Sequence, residues 1–297
     1  MPHAKASKLG GVLTAIATPF EEGGKLALQH VPTLVDFQKS AGIDGLVVCG
    51  TNGEGTSLSV EERMRTLEAV MSVKGDMLIV AATGAANTPD AVALTRHAAE
   101  VGADAVLVLP PFFFKNPSHT GVADAFMPVL DSADIPVLLY SIPQMSAIRI
   151  SDETLALLAY HPNLSGLKDS SGDAESARHY ITAYRELRMF AGSDRLVQLT
   201  AQLNGAGSIT GGANGFPDLV MAARHAALSA DTEAADAAQR ILNTMMDILV
   251  KYPLIAVNKS VMKLRGLPPL SVRPTLVNLS AQQEDNLRSD LVQAGLL

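Results

Sequence analysis

Eight short runs of β-type residues recur along the chain at intervals of roughly 20 to 33 residues, and this rhythm constrains the fold more than any single motif. The runs are Val12–Ala17, Gly45–Cys49, Met77–Ala82, Ala105–Leu109, Pro136–Tyr140, Leu164–Lys168, Arg188–Ala191 and Gly207–Thr210. Each interval has room for one strand and one helix returning alongside it. The stretches between the runs carry apolar residues at helical spacing, as in Glu61–Val73, Thr88–Val101, Ser151–His161 and Asp173–Leu187. Helix starts are marked by Ser59 ahead of Glu61 and Glu62, by Thr88-Pro89-Asp90, and by Ser151-Asp152-Glu153. Eight alternating β/α units predict an α/β protein built as a closed (β/α)8 TIM barrel rather than an open doubly wound sheet.

Near residue 225 the alternation stops. Residues 1–225 therefore read as a catalytic barrel and residues 226–297 as a C-terminal helical extension, expected to serve oligomer contacts or support. Its candidate helices are Ala226–Val250, Ile255–Leu264 and Ala281–Ala294, broken by the Pro268-Pro269 turn. A chain of 297 residues with 47% hydrophobic and 18% charged residues can bury one large core. No apolar run is long enough to span a bilayer, and Met1–Gly10 lacks the apolar core of a secretory signal, so the expected location is cytoplasmic. Cys49 is the only cysteine, which excludes an internal disulfide and a cysteine-based zinc cage and leaves it as a buried small hydrophobe. The net charge of −7 with scattered basic residues points away from nucleic acid. Residues His3, His30, His97, His119, His161, His179 and His225 show no ligand spacing, so no metal is expected.

Function in such barrels sits at the C-terminal ends of the strands. Three features fall there: Lys168 ends the sixth run, Tyr140 ends the fifth, and Gly50-Thr51-Asn52-Gly53-Glu54-Gly55 follows the second. Strand alternation predicts that Leu164, Gly166 and Lys168 share one face, with Gly166 leaving space below the lysine, and that Pro136, Leu138 and Tyr140 share a face of the neighbouring strand. Burying an ammonium is costly unless it is paired or gives up its proton, and a neutral amine can attack a carbonyl to make a Schiff base. A phenol on an adjacent strand, about 4.8 Å away, can share a proton with that amine. The loop offers backbone N–H groups, the Thr51 hydroxyl and the Asn52 amide to a small carboxylate. Taken singly, each feature has a plainer reading: Lys168 paired with Asp169 or a carboxylate on the next loop, Tyr140 as a core residue, and the loop as a strand-to-helix turn. Their coincidence at three strand ends favours chemistry.

The segments Gly50-Thr51-Asn52-Gly53-Glu54, Tyr140-Ser141-Ile142-Pro143 and Gly166-Leu167-Lys168-Asp169 resemble the signatures of the dihydrodipicolinate synthase / N-acetylneuraminate lyase family. The resemblance runs from Gly11-Val12-Leu13-Thr14-Ala15 and Thr18-Pro19-Phe20 to the helical tail. It implies a class I enzyme in which Lys168 forms a Schiff base with pyruvate or a related 2-oxo acid, with no other cofactor. It further implies that Tyr140 shuttles protons together with Thr51, and that Thr51 and Asn52 cradle the carboxylate. By the same resemblance the Ile209 carbonyl faces the substrate above the glycine-rich Gly211–Gly215 floor, Gly192 lies beside the substrate, and the protein is a homo-oligomer, a tetramer of tight dimers with Phe112–Phe114 near the tight interface.

Five positions bear on the second substrate. Met145 stands where the synthase branch has an arginine for the aldehyde's carboxylate, and methionine cannot make that contact. Arg149, four residues on, is a candidate substitute for that arginine, but reads rather as a solvent-exposed residue opening the next helix. Phe113 replaces the tyrosine that the family sends into a neighbouring subunit's site. Asn52 replaces a common threonine, and a Ser-Asn version of the pair resembles the 4-hydroxy-2-oxoglutarate aldolase branch. Arg195, in Gly192-Ser193-Asp194-Arg195, replaces an acid of the sialic acid lyases; it is expected either to meet the distal carboxylate of a short diacid or to face water, with Asp194 as a helix cap. The expected activity is a pyruvate-dependent aldolase or lyase acting on a 4-hydroxy-2-oxo acid or 2-keto-3-deoxy sugar acid. The alternatives are 4-hydroxy-tetrahydrodipicolinate synthase using pyruvate and aspartate semialdehyde, a dehydratase using the same iminium, or a catalytically idle barrel that binds a 2-oxo acid.

Overall fold

The computed structural model describes residues 4–297. The start of the Met1–Gly10 segment and His3 lie outside the described residues. Eight parallel strands close into a barrel in chain order: β1 (Gly11–Ala15), β2 (Gly45–Val48), β3 (Leu78–Ala82), β4 (Ala105–Val108), β5 (Val137–Ser141), β6 (Leu164–Asp169), β7 (Arg188–Ala191) and β8 (Gly207–Thr210), with β1 pairing both β2 and β8. Around them run α1 (Val31–Ser40), α2 (Val60–Met71), α3 (Thr88–Glu100), α4 (His119–Leu130), the single turn α5 (Pro143–Ser146), α6 (Asp152–Leu158), α7 (Ala174–Ala183), α8 (Val197–Gln202) and α9 (Pro217–Leu228). The expected barrel is the observed one.

Side-chain alternation along the strands builds two cores. Leu13, Ala15, Val47, Val80, Leu107, Leu138, Tyr140, Phe190 and Ile209 fill the barrel interior. Their strand neighbours Val12, Leu46, Ile79, Val106, Leu139 and Leu167 join the outer layer against the helices. Strands buried on both faces read as nearly continuous apolar runs, which is why the sequence displays them so plainly.

Between β5 and β6 the register slips by one residue: Val137 pairs with Leu164 but Leu138 pairs with Gly166. This bulge places Leu164 in the outer layer with Leu167, so Leu164 does not share a face with Gly166 and Lys168 as strict alternation predicts. Nor does Gly166 leave open space. A Cβ there would collide with the Arg188 carbonyl and lie 2.8 Å from Leu138 Cδ2, so the glycine is required by close strand packing.

Local signals set the helix boundaries. Ser59 caps α2 in a reciprocal capping box with Glu62, and Ser151 caps α6, but α3 is capped by Asn87, one residue before the expected start. The expected helices over Ser151–His161 and Asp173–Leu187 stop earlier, at Leu158 and Ala183. The boundary expected at residue 225 falls inside α9, the last barrel helix. The extension begins after it with α10 (Thr232–Leu249), capped by Asp231, followed by α11 (Leu254–Leu264) and α12 (Ala281–Gln293). Among the described residues no helix is long and apolar enough to cross a membrane, and no group of three or more His, Cys, Asp or Glu side chains gathers as a metal site.

Candidate active site

The barrel register brings Tyr140 and Lys168 together as direct partners at the C-terminal ends of β5 and β6. Both are buried, and the Lys168 Nζ lies 4.4 Å from the centre of the Tyr140 ring. The plainer ion-pair reading of Lys168 does not describe its surroundings. The Asp169 carboxylate accepts instead from the backbone N–H of Ser171 at 3.0 Å and from its hydroxyl at 2.8 Å.

Thr51, in the loop after β2, sits with its Oγ1 3.3 Å from the Tyr140 hydroxyl. Burial alone pushes the Tyr140 phenol up. The Lys168 amine and hydrogen bonds with Ser170, Thr51 and Lys168 outweigh it and hold the phenol below its ordinary value of 10.0. An amine, a phenol and two hydroxyls so placed can pass a proton among themselves. Gly192, after β7, accommodates the Ser170 side chain, which any Cβ at that position would strike. Ile209 on β8 is fully buried in the same inner layer as Tyr140.

Asn52 lies with its amide against Gly211; a Cβ on that glycine would fall 2.6 Å from Asn52 Nδ2 and 2.8 Å from Oδ1. The loop is held from below by Cys49 in a left-handed conformation (φ 59°), its buried thiol pushed up to about 12 by desolvation against the opposing influence of Arg63 and Thr66. Asn214 closes the floor, accepting from the Ala17 N–H at 2.8 Å and donating to the carbonyls of Ala15 and Gly211 at 2.8 and 2.9 Å.

After β7 the expected cap changes, and of the two readings of Arg195 the one turned away from the site holds. The cap is Ser193, whose side chain accepts from the Arg195 N–H, and not Asp194. Asp194 is 3% exposed, with Oδ2 accepting from the Gly212 N–H at 3.2 Å and Oδ1 without a hydrogen-bond partner. Burial pushes its carboxyl up, only partly offset by Thr210, the N–H groups of Gly212 and of Asp194 itself, and the Lys168 charge. Arg195, by contrast, turns to α10 and pairs with Asp247 at 2.6 Å. The structure thus gathers Lys168, Tyr140, Thr51, Asn52, Ile209 and Gly192 at one barrel mouth and leaves Arg195 outside.

Two hollows open there. One, of about 320 Å³, is lined by Thr51, Glu54, Tyr140, Ile142, Met145 and Phe112 among others, with a largely apolar surface. The second, of about 200 Å³, includes Asn52, Gln144, Ser170, Asp194, Gly212 and Asn258 in a lining without lysine or arginine. Arg149 reaches neither, because its Nη2 donates to Ser176 at the start of α7 at 2.8 Å. Phe113 and Phe114 stand 75% and 81% exposed, packed edge to face.

Sequence reasoning gave no role to Glu54, Asn258, Lys259 or Arg273, yet these residues hold the Thr51–Asn52 loop. Glu54 is buried and left-handed (φ 52°), a conformation costing about 1–2 kcal/mol in a residue with a side chain. Its Oε1 accepts from Lys259 Nζ at 2.5 Å and its Oε2 from the Arg273 N–H at 2.8 Å. Asn258 Nδ2 donates to Asn52 Oδ1 at 2.8 Å. The available signal was a lysine and an asparagine inside the apolar helical stretch Ile255–Val261, where a solvated face would be expected to alternate with a buried one.

A sequence profile of the Dihydrodipicolinate synthetase family matches residues 8–294. An uncharacterized DapA-like lyase of Chloroflexus aurantiacus is 37% identical over 94% of this chain and 95% of its own length. A 4-hydroxy-tetrahydrodipicolinate synthase of Haloarcula marismortui is 33% identical over 95% of this chain and 92% of its own. Among solved structures, a prophage protein of the dihydrodipicolinic acid synthase family from E. coli K12, in complex with pyruvate, superposes with a TM-score of 0.92 at 26% identity, covering 97% of this chain and 99% of that one.

Proposed function

The chain belongs to the dihydrodipicolinate synthetase family, whose members are class I, pyruvate-type aldolases and lyases, and on that premise we propose that it cleaves a 2-keto-3-deoxy sugar acid through a Schiff base on Lys168. Lys168 Nζ adds to the C2 carbonyl and water leaves, giving an iminium. Tyr140, with Thr51, relays the proton of the C4 hydroxyl as the C3–C4 bond breaks. The bonding electrons pass to the iminium, an enamine remains and an aldehyde departs. Protonation at C3 and addition of water then return pyruvate and the free amine. Thr51 and Asn52 hold the carboxylate, with Gly192 and the Ile209 carbonyl beside it.

The observation that carries the substrate class is the second hollow. Amides, hydroxyls and a buried carboxyl line it beside the apolar Met246, Leu249 and Leu254, and no lysine or arginine does, which suits a hydroxylated tail running on from the carboxylate at Asn52 better than a second carboxylate. Arg195 is engaged by Asp247 and Met145 offers no charge. The synthase reading draws support from relatives of that name, but its aldehyde carries a carboxylate for which neither hollow supplies a lysine or arginine. We further assign the exposed Phe113 and Phe114 to a contact between copies in a homotetramer.

Incubation with pyruvate and borohydride should leave an irreversible adduct on Lys168, located by peptide mass spectrometry; an unmodified lysine would eliminate the Schiff base and leave only a 2-oxo-acid-binding role. Pyruvate release should then be measured from a 2-keto-3-deoxy sugar acid and from 4-hydroxy-2-oxoglutarate, beside consumption of aspartate semialdehyde. The highest kcat/KM is expected with the sugar acid. A higher value with either charged alternative overturns the substrate assignment.

A further inference from the structure

Consecutive residues of α11 reach the carboxylate loop on both sides of Gly53. Lys259 fixes Glu54, and its own Nζ also donates to the Ser271 carbonyl at 2.6 Å; Asn258 binds the side-chain oxygen of Asn52. Glu54, Asn258 and Lys259 are all at most 4% exposed. The backbone of the loop is therefore held by Glu54, while the Asn52 side chain is held separately, through Asn258. An asparagine amide presents a donor on one edge and an acceptor on the other, and rotation by half a turn exchanges them. Only the donor edge can bind a carboxylate.

We propose that Asn258 is a positioning residue that sets this orientation: by occupying Asn52 Oδ1 with a donated N–H, it leaves the Asn52 NH2 as the group offered to the 2-oxo acid's carboxylate. The inference rests on the reading that Thr51 and Asn52 hold that carboxylate. Gly211 takes part, because the three nearest heavy atoms a Cβ would meet there all belong to the Asn52 amide. Its backbone, at φ −92°, accepts any residue, so a methyl would disturb the amide and not the chain.

The test is the pyruvate concentration that gives half-maximal borohydride trapping on Lys168. Asn258→Ala, which frees the amide to turn, should raise it about tenfold. Asn258→Asp should raise it about a hundredfold, since its carboxylate attracts the Asn52 NH2 and turns the acceptor oxygen toward the substrate. In both, saturating pyruvate should still trap the lysine fully, and Gly211→Ala should behave like Asn258→Ala. A structural role alone would lower the melting temperature without separating alanine from aspartate. Wild-type protein that does not trap pyruvate refutes the functional reading itself. Wild-type protein that traps normally, with half-saturation unchanged in the Asn258 variants or equal for alanine and aspartate, refutes this inference alone.

Discussion

The two halves of the site are assembled differently. Lys168 and Tyr140 are register partners on adjacent strands, placed by the same ladder that closes the barrel. Thr51 and Asn52 lie on a loop whose anchors, Lys259 and Asn258, are 205 and 206 positions away from the groups they hold. The Lys168–Tyr140 pair is thus placed as firmly as the sheet, whereas the loop proposed to hold the carboxylate depends on a tertiary contact between barrel and extension. Such a contact can be weakened while the barrel stands.

The most severe way to break the first half is Lys168→Ala. Turnover should fall by at least about a thousandfold and borohydride trapping should vanish, because no other group supplies the amine. The barrel should still melt cooperatively, as circular dichroism would show. Tyr140→Phe comes next, with kcat reduced by about a hundred- to a thousandfold. The phenol lies below its ordinary value, so the alkaline fall in wild-type kcat should begin below pH 10 and be absent from the Tyr140→Phe profile. An unchanged alkaline limb would remove Tyr140 from the relay.

The second half is sharpened by Lys259→Met. With side-chain exposures of 1% and 0%, Lys259 and Glu54 are fully desolvated, so leaving the Glu54 carboxylate buried alone should cost about 3–5 kcal/mol in urea unfolding. Adding Glu54→Leu should recover part of that loss; a double variant no better than the single would show that the pair does not act as a unit. The smallest effect concerns the partly buried Arg273–Glu62 pair, where two hydrogen bonds, at 2.7 and 2.6 Å, fasten the segment between α11 and α12 to α2. Arg273 holds the Glu62 carboxyl down at about 2 from 4.5. A depressed carboxylate contributes stability above its unfolded value and loses it as pH falls toward the folded one. Stability should therefore decline from about pH 4.5 to about pH 2, and Arg273→Gln should flatten that window. An identical acid slope in both proteins would dismiss the pair as a contributor.

This division also explains what the sequence made legible. The strands were visible because both faces are buried, and Arg188–Ala191 and Gly207–Thr210 were located to the residue. Lys168 and Tyr140 stood out because polar groups interrupt apolar runs at strand ends. The bulge was invisible, since a single extra residue leaves no mark on an apolar pattern. Asp194 and Arg195 exchanged prominence because an acid at a helix start has the same spelling whether it caps the helix or is buried. Asn258 and Lys259 went unassigned because nothing local in α11 identifies residue 52 or 54 as the partner.

The one-residue slip in β6 has a consequence of its own. Side chains on a strand take opposite sides by turns, so which side Lys168 occupies is a matter of odd or even count from the point where pairing begins. Ser165 changes that count: it lies between Leu164, which faces the helices, and Gly166, which faces the lumen. Chemistry in this barrel is therefore tied to parity. A change of one residue in chain length before the lysine, too small to alter composition or pattern, decides whether its amine faces the lumen or is sealed behind the wall.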